Sequence, residues 1–287
     1  MLIVKQVIKC YSENTATSPF FCVLSNGDYA ILKYPNNPEG NLILINEFIS
    51  YKLAEILGLD TPGYGICEFT PECSIPSNIN VSDSNYGLCF YSKFINKAVP
   101  FSPSKISSVV NKEQFNKLII FDHLIYNKDR HEGNILITIS KDIKMLAIDH
   151  SHVFKNQSIW DKNTFIQGMK NSDYLDTDIL EYNDYTYKSL FEIINFNNEN
   201  THRFTRLIKL KLTESIINDI ISSLPSSWIK YVDELDIKYL IKYLIYRVLP
   251  SKNLLVTIIF SLSFNFSNAP FIVIFSAHNS SVFLLSF

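Results

Sequence analysis

The sequence has no long basic run, no C-x-x-C pair and no internal repeat. Its 26 lysines and arginines are offset by 28 aspartates and glutamates, for a net charge of −2. Without a dense basic stretch the chain lacks the footprint of nonspecific nucleic-acid binding, and direct contact with nucleic acid is not expected. The five cysteines, at 10, 22, 67, 73 and 89, are scattered and odd in number. That pattern argues against a disulfide framework or a zinc site, and reduced thiols fit a cytoplasmic location. The first ten residues, MLIVKQVIKC, are too short and too interrupted by lysine for a secretory signal. Charged residues make up 19% of the chain against 47% hydrophobic, so wholesale disorder is not expected and a core in one or two domains is.

Charge disappears altogether after Lys252. Leu254–Phe275 has the length of a bilayer span, but Asn265, Asn268, Pro270 and several serines interrupt it. The alternation SLSFNFS fits a strand better, and such uncharged, β-prone windows are aggregation hazards. The tail, 251–287, is expected as an appended strand or a poorly ordered segment first and as membrane contact second. A third reading is an end foreign to the fold.

What the chain does have is one dense polar stretch, Asn127 to Phe154. It reads NKDRHEGNILI, a short polar gap, then MLAIDHSHVF. Two apolar runs, Ile135–Ile139 and Met145–Ile148, flank Ser140–Lys144 and predict a short hairpin. Asp129 and Asn134 precede its first strand, and Asp149 ends its second. Such an arrangement gathers oxygen-bearing side chains at one end of a hairpin. Phosphoryl transfer needs that cluster: one carboxylate to orient a hydroxyl and take its proton, an amide and a second carboxylate to hold magnesium. The spacing D-x-x-x-x-N, then an Asp after a hydrophobic strand, is that of kinase catalytic and metal loops. It casts Asp129 as base and Asn134 and Asp149 as magnesium ligands. His131 and His150 are expected to tie the loops by hydrogen bonds. The bland alternative is a surface loop that happens to hold Asp, His and Asn.

Upstream, residues 2–9 alternate loosely as a first strand. Phe20–Leu24 and Tyr29–Tyr34 surround Ser-Asn-Gly-Asp, a strong hairpin signal. Lys33 lies in the second run, AILKY. A lysine in an apolar strand is costly unless it meets an anion; the alternative is an edge lysine facing water. Over 41–58, Leu42, Ile45, Ile49, Leu53 and Ile56 recur at helical spacing, with Gly58 as a stop. Glu47 sits beside that stripe, and a strand Lys followed by a helix Glu is the pair that holds nucleotide phosphates in kinases. The alternative for Glu47 is a solvated helix charge. Tyr64–Phe69 predicts a strand, Thr70–Asn85 a loop, and Gly87–Ile95 another strand. In a kinase-like fold this last strand leads to the adenine hinge and nominates Phe90, Tyr91 and Ser92; the alternative is an ordinary core strand.

Asn111–Gln114 resembles a capping box ahead of a helix bearing Phe115, Leu118, Ile119, Asp122 and Ile125. Asp122, on a mostly apolar helix, either anchors the polar loop or faces water. After Phe154 comes a polar segment that could serve as an activation-type loop beside the acceptor. Helical patterns return over 186–196, 202–222 and 232–248, and the stripe on the last is best read as plain core.

Together, IYNKDRHEGNILI and MLAIDHSHVF resemble the HipA-like kinase family, particularly its small single-kinase-domain branch. AILKY, NEFISYKLAEILGLDTP and CFYSKF fall in the order that resemblance requires, and the likeness covers roughly residues 15–248. It implies an α+β, protein-kinase-like fold with a β-rich N-lobe (1–96) that binds nucleotide and a mainly helical C-lobe (97–250) with the catalytic and metal loops. An apolar extension (251–287) follows. It further implies ATP and Mg2+ as cofactors and transfer to a Ser or Thr hydroxyl, with Lys33 on the phosphates and Glu47 as its partner. Related loops occur in aminoglycoside phosphotransferases and phosphatidylinositol kinases, so the motif fixes the reaction better than the acceptor, a protein or a small molecule. No G-x-G-x-x-G precedes Lys33, which leaves Tyr11–Ser18 as the phosphate cover, and Ser151 replaces the glycine usual after the metal-loop Asp-His. Those departures keep a weakly active pseudokinase, serving as an interaction module, among the alternatives.

Overall fold

The computed structural model describes residues 1–12, 15–191, 198–230, 232–248, 271–274 and 283–286. Five strands near the N-terminus close into a barrel: β1 (Leu2–Cys10), β2 (Phe20–Leu24), β3 (Tyr29–Lys33), β4 (Tyr64–Phe69) and β5 (Gly87–Lys93), in the order β1-β2-β3-β5-β4. β1 and β4 pair in parallel at Leu2 and Ile3, and the other ladders are antiparallel. Strand alternation sends Phe20, Cys22 and Leu24 inward from β2 and Ala30 and Leu32 inward from β3. Cys67 and Cys89 join them. The scattered cysteines are thus packing residues, all five free, and burial pushes the Cys22 thiol up to about 12. Gly27 turns the β2–β3 hairpin with φ +86°, a conformation open to glycine at no steric cost.

α1 (Leu42–Leu57) lies between the barrel and the rest of the chain, touching β5 and the helices α6 (Asn198–Lys211), α7 (Glu214–Ser222) and α8 (Ser226–Ile229). The sequence predicts one apolar stripe. The structure instead buries the helix on nearly every side, Asn46, Glu47, Ser50 and Tyr51 included, while Leu42 and Ile56 of the stripe are only half-buried. Tertiary covering on two faces overrides the amphipathic pattern. Gly58 ends the helix in the left-handed region at φ +69°, with the Leu59 N–H returning to the Ala54 carbonyl.

The remaining chain is mainly helical. A small sheet, β6 (Ala98–Pro100), β7 (Ile135–Thr138) and β8 (Met145–Ala147), packs on α2 (Glu113–Leu124). The predicted β7–β8 hairpin forms with Ile135 opposite Ala147 and Ile137 opposite Met145. The expected capping box at the start of α2 does not form. Asn111 Nδ2 instead donates to Asp60 Oδ2 (2.8 Å) and its Oδ1 accepts from the Met145 N–H (2.8 Å), while Gln114 Oε1 accepts from the Asp60 N–H (2.9 Å). Long-range partners take the side chains that a local cap would have used.

The polar segment after Phe154 is not one loop either. It holds α3 (Lys162–Lys170), capped by Asp161, whose carboxylate accepts from the Thr164 N–H (2.7 Å). α3 packs on α9 (Glu234–Val248) through a stack of Phe165 on Tyr243. Between them run α4 (Asp178–Tyr182) and α5 (Asp184–Phe191). The helix predicted over 202–222 is divided at Thr213, which caps α7. One core, from Ile43 to Val248, joins α1 to this helical part. In the tail, β9 (Phe271–Ile274) pairs antiparallel with β10 (Phe283–Ser286). The rest of Leu254–Phe275 and the SLSFNFS strand lie outside the described residues. No described helix is long and apolar enough to cross a membrane.

Candidate active site

The loop between α2 and β7 is held from beneath by a buried ion pair. Asp122 and Arg130 are both fully buried. The Arg130 guanidinium donates to both Asp122 carboxylate oxygens (2.9–3.2 Å), and its Nη1 donates to the Asn134 carbonyl (2.6 Å) and the Ile148 carbonyl (2.8 Å). One side chain therefore binds the loop before β7 to the loop after β8. Asn127 Nδ2 and the Tyr187 hydroxyl also donate to Asp122, and Asn183 Oδ1 accepts the Arg130 N–H. Of the two readings of Asp122, anchoring is the one found. Two buried charges cost several kcal/mol each to desolvate, and this pair is tolerated because each donor and acceptor has a partner.

Above that frame, Lys33 meets three groups. Its Nζ donates to Glu47 Oε1, to Asp149 Oδ1 (2.6 Å) and to Ser151 Oγ. Lys33 faces away from the barrel interior, and α1 covers it from outside, so the edge-lysine alternative does not apply. Burial pulls the ammonium down, but Asp149 and Glu47 outweigh it and hold Lys33 up at about 12. Burial pushes Glu47 up against the pull of Lys33, with Asp149 adding to the push. Asp149 lies well below the usual carboxylate range: burial raises it, and Lys33 more than reverses that. Glu47 Oε1 also accepts from the Ser151 hydroxyl (2.9 Å) and the His150 N–H (3.1 Å). Two carboxyl groups thus share one ammonium. Asp149 itself has φ +53°, a left-handed conformation that Asp tolerates better than most residues and that loops at functional sites often carry.

Asn134 Nδ2 is committed to the Asp129 carbonyl (2.7 Å). Its Oδ1, like Asp149 Oδ2, takes no hydrogen bond among the described residues. An amide oxygen and a carboxylate oxygen are the donor types that suit a hard divalent cation, which takes few protein ligands when phosphates supply others. The Asn134 carbonyl accepts from the Ile148 N–H (3.2 Å), one residue before Asp149. Among the described residues no group of three His, Cys, Asp or Glu side chains is close enough to hold a metal by itself.

A cavity of about 420 Å³ opens beside Lys33, Glu47 and Asp149. Its walls are mostly apolar, from Ile31, Phe90, Pro100, Leu136 and Ile148, as a base-sized ligand requires. Of the three candidate hinge residues, Phe90 and Ser92 line it; Tyr91, on the other face of β5, is turned into the barrel interior over Gly65. Tyr11, the first residue of the segment nominated as cover, lines the cavity, as does Pro19 just beyond its end; the described residues among 12–18 are not part of that lining.

The histidine expectation divides. His131 Nδ1 accepts from the Gly133 N–H (3.0 Å), but both ring nitrogens of His150 are buried without a partner. The His150 ring lies edge-on to Tyr51 and Phe121, and burial, then Arg130, keeps it neutral. Sequence reasoning gave no role to Arg130, although the residue after Asp129 was part of the motif. Nor did it see Asn46, which donates to the Ser151 carbonyl (2.6 Å) and accepts from Trp160 Nε1 (2.8 Å), tying α1 to the loop after Asp149.

A family model described as HipA-like kinase matches residues 4–249. Among solved structures, the proinflammatory kinase CtkA of Helicobacter pylori is similar in fold, with a TM-score of 0.56 at 16% identity over 92% of this chain and 98% of that one. The Golgi casein kinase with Mn/ADP bound gives 0.46 at 12% identity, over 90% of this chain and 73% of that one. HipA of Shewanella oneidensis MR-1, in complex with HipB and operator DNA, gives 0.47 at 13% identity, over 85% and 65%. No curated protein matches the sequence. With nearly the whole described chain inside the family match, from β1 through α9, the protein belongs to the HipA-like kinase family.

Proposed function

We propose that this kinase transfers the γ-phosphoryl group of ATP to a serine or threonine hydroxyl, in a magnesium-dependent reaction. The observation that carries the reading is convergence: Lys33, Glu47 and Asp149 come from three separate stretches of chain and meet in one buried cluster beside an apolar cavity. In this reading residues 1–96 form the nucleotide-binding lobe and 97–250 the catalytic one. The adenine lies against Phe90 and Ser92, and Lys33, oriented by Glu47, meets the phosphates. Asn134 and Asp149 hold the metal, which when bound screens the charge of the triphosphate. Asp129 orients the attacking hydroxyl and takes its proton, while Arg130 keeps the loops of Asp129 and Asp149 in register. Ser151 fits beside Lys33 and Glu47 without disturbing their pairing, which supports turnover over a pseudokinase.

The test is magnesium-dependent ATP binding followed by transfer, with phosphosites mapped by mass spectrometry on the chain itself and on a degenerate Ser/Thr peptide library. Asp149→Ala is expected to remove the magnesium dependence of nucleotide binding. Binding that keeps its magnesium dependence in that variant refutes the metal role of Asp149. Transfer to an aminoglycoside, with none to peptide, refutes the protein acceptor.

A further inference from the structure

The ring of His152 stands between two carboxylates from distant stretches of chain. Its Nδ1 lies 3.2 Å from Asp129 Oδ2 and its Nε2 3.5 Å from Glu39 Oε2. Glu39 sits in the turn that leads into α1, and the Ser158 hydroxyl donates to the same Glu39 oxygen (3.0 Å). The His152 side chain is 18% exposed, whereas that of Asp129 is 38% exposed and open to an incoming molecule. Neither the hairpin pattern nor the kinase spacing assigns this histidine a part.

The contact divides the Asp129 carboxylate. Oδ2 is engaged by His152 and, more distantly, by Asn134 Nδ2 (3.5 Å). Oδ1 takes no hydrogen bond among the described residues. The terminal torsion of an aspartate is intrinsically broad, so a base held only through its backbone spreads its two oxygens over many directions. Transfer is sensitive to such spread, because orientation of the reacting groups carries much of the barrier reduction.

We propose that His152 is a positioning residue for phosphoryl transfer: braced by Glu39 on its far side, it fixes Asp129 Oδ2 and thereby aims Oδ1 at the acceptor hydroxyl. The role rests on the reading of Asp129 as the base. An imidazolium donates from both nitrogens and so matches two facing acceptors, which a neutral ring cannot do. The charged groups that face the ring are Asp129, Glu39 and Asp149; the Asp129 hydrogen bond first, then the surrounding negative charge, raise it above the ordinary histidine range despite burial. The brace also has a geometric consequence. Glu39 lies in the turn that enters α1, the helix that carries Glu47, so the brace ties that turn to the base.

The experiment uses the full chain, labelled ATP with magnesium, and the degenerate Ser/Thr peptide library. H152A is expected to lower kcat about 10- to 100-fold, the cost of a misdirected catalytic group, with the KM for ATP within about twofold of wild type. H152N, whose amide nitrogen sits near the position of Nδ1, recovers part of that loss. In a D129A background H152A costs nothing further, because the group it aims is gone. Independently of turnover, the His152 ring titration followed by NMR moves down toward the ordinary value of about 6.5 in D129N and in E39Q. The role is overturned if H152A transfers as fast as wild type, if the loss lies in the KM for ATP, or if the H152A and D129A losses multiply. If the wild-type chain binds ATP but transfers no phosphate, the reading of Asp129 as base fails and the role falls with it. Wild-type transfer with an unaffected H152A removes the role alone.

Discussion

The structure buries two clusters of charge and balances them differently. Asp122 and Arg130 are opposite in sign, equally buried and saturated with partners from α2, the loop before β7, the loop after β8 and α5. Lys33, Glu47 and Asp149 are two acids on one base, and Glu47 Oε2 is buried without any partner. The first cluster has nothing left to offer a ligand. The second keeps a carboxyl oxygen without a partner and lines the cavity. In the proposed reading the closed cluster serves as frame and the open one as site, and the contrast in burial and partners holds with no relatives to compare.

The sharpest way to break the contrast is from the frame side. Asp122→Ala leaves the Arg130 guanidinium buried and unpaired, and is expected to destabilise the fold by about 3–5 kcal/mol in urea denaturation, with transfer lost alongside. An unchanged midpoint would show that the frame is dispensable. On the site side the effect is kinetic and not structural. Asp129→Ala is expected to slow transfer by about 10²–10⁴-fold while leaving the denaturation midpoint where it was.

Acid distinguishes the two sides again. His123 follows Asp122 on α2 and is fully buried with Nε2 unpartnered; burial first and Arg247 second lower it to about 3. Below its unfolded value of about 6.5 the unfolded chain takes up a proton that the native state refuses. Stability is therefore expected to fall as pH drops from about 6.5 to 3, by up to about 1.4 kcal/mol per unit from this residue. Urea denaturation across that window should show a shallower decline in His123→Leu. The smallest expected effect is at Ser151. Losing its hydroxyl removes hydrogen bonds to Lys33 and Glu47 but spares their direct pairing. Ser151→Ala should cost about 1 kcal/mol, a several-fold rise in the KM for ATP. A hundredfold loss would move Ser151 into the core of the site.

Much of this architecture is legible in the residues. Asn-Gly between apolar runs gave the β2–β3 hairpin, and Gly58 marked the end of α1. The D-x-x-x-x-N spacing with a downstream IDH located the loops around β7 and β8. What is not legible is long-range. Asn111 and Gln114 satisfy every local rule for a cap and are claimed by Asp60 and Met145 from elsewhere. The α1 pattern could not reveal that a second face would be covered by helices about 150 residues later in the chain. Tyr91 and Ser92 are equally good hinge candidates until strand register puts one inside the barrel. Arg130 and Ser151 lay in view, but their partners, carbonyls and a distant lysine, have no sequence signature.

The enclosure of α1 bears on control. Many switchable enzymes idle by letting a helix of this kind tilt outward, taking the glutamate away from its lysine. Here any tilt would strip Ile43, Leu44, Ile45, Phe48 or Ile49 from one neighbour or the other, and each apolar side chain exposed costs roughly 1.5–3 kcal/mol. Four of them would consume a stability that for a typical domain totals only about 5–15 kcal/mol. With Asn46 and Trp160 fastening the same helix to the segment beyond Asp149, the resting state has no inexpensive off position. A ligand that occupies the cavity would meet none of that cost, because it leaves α1 where it is.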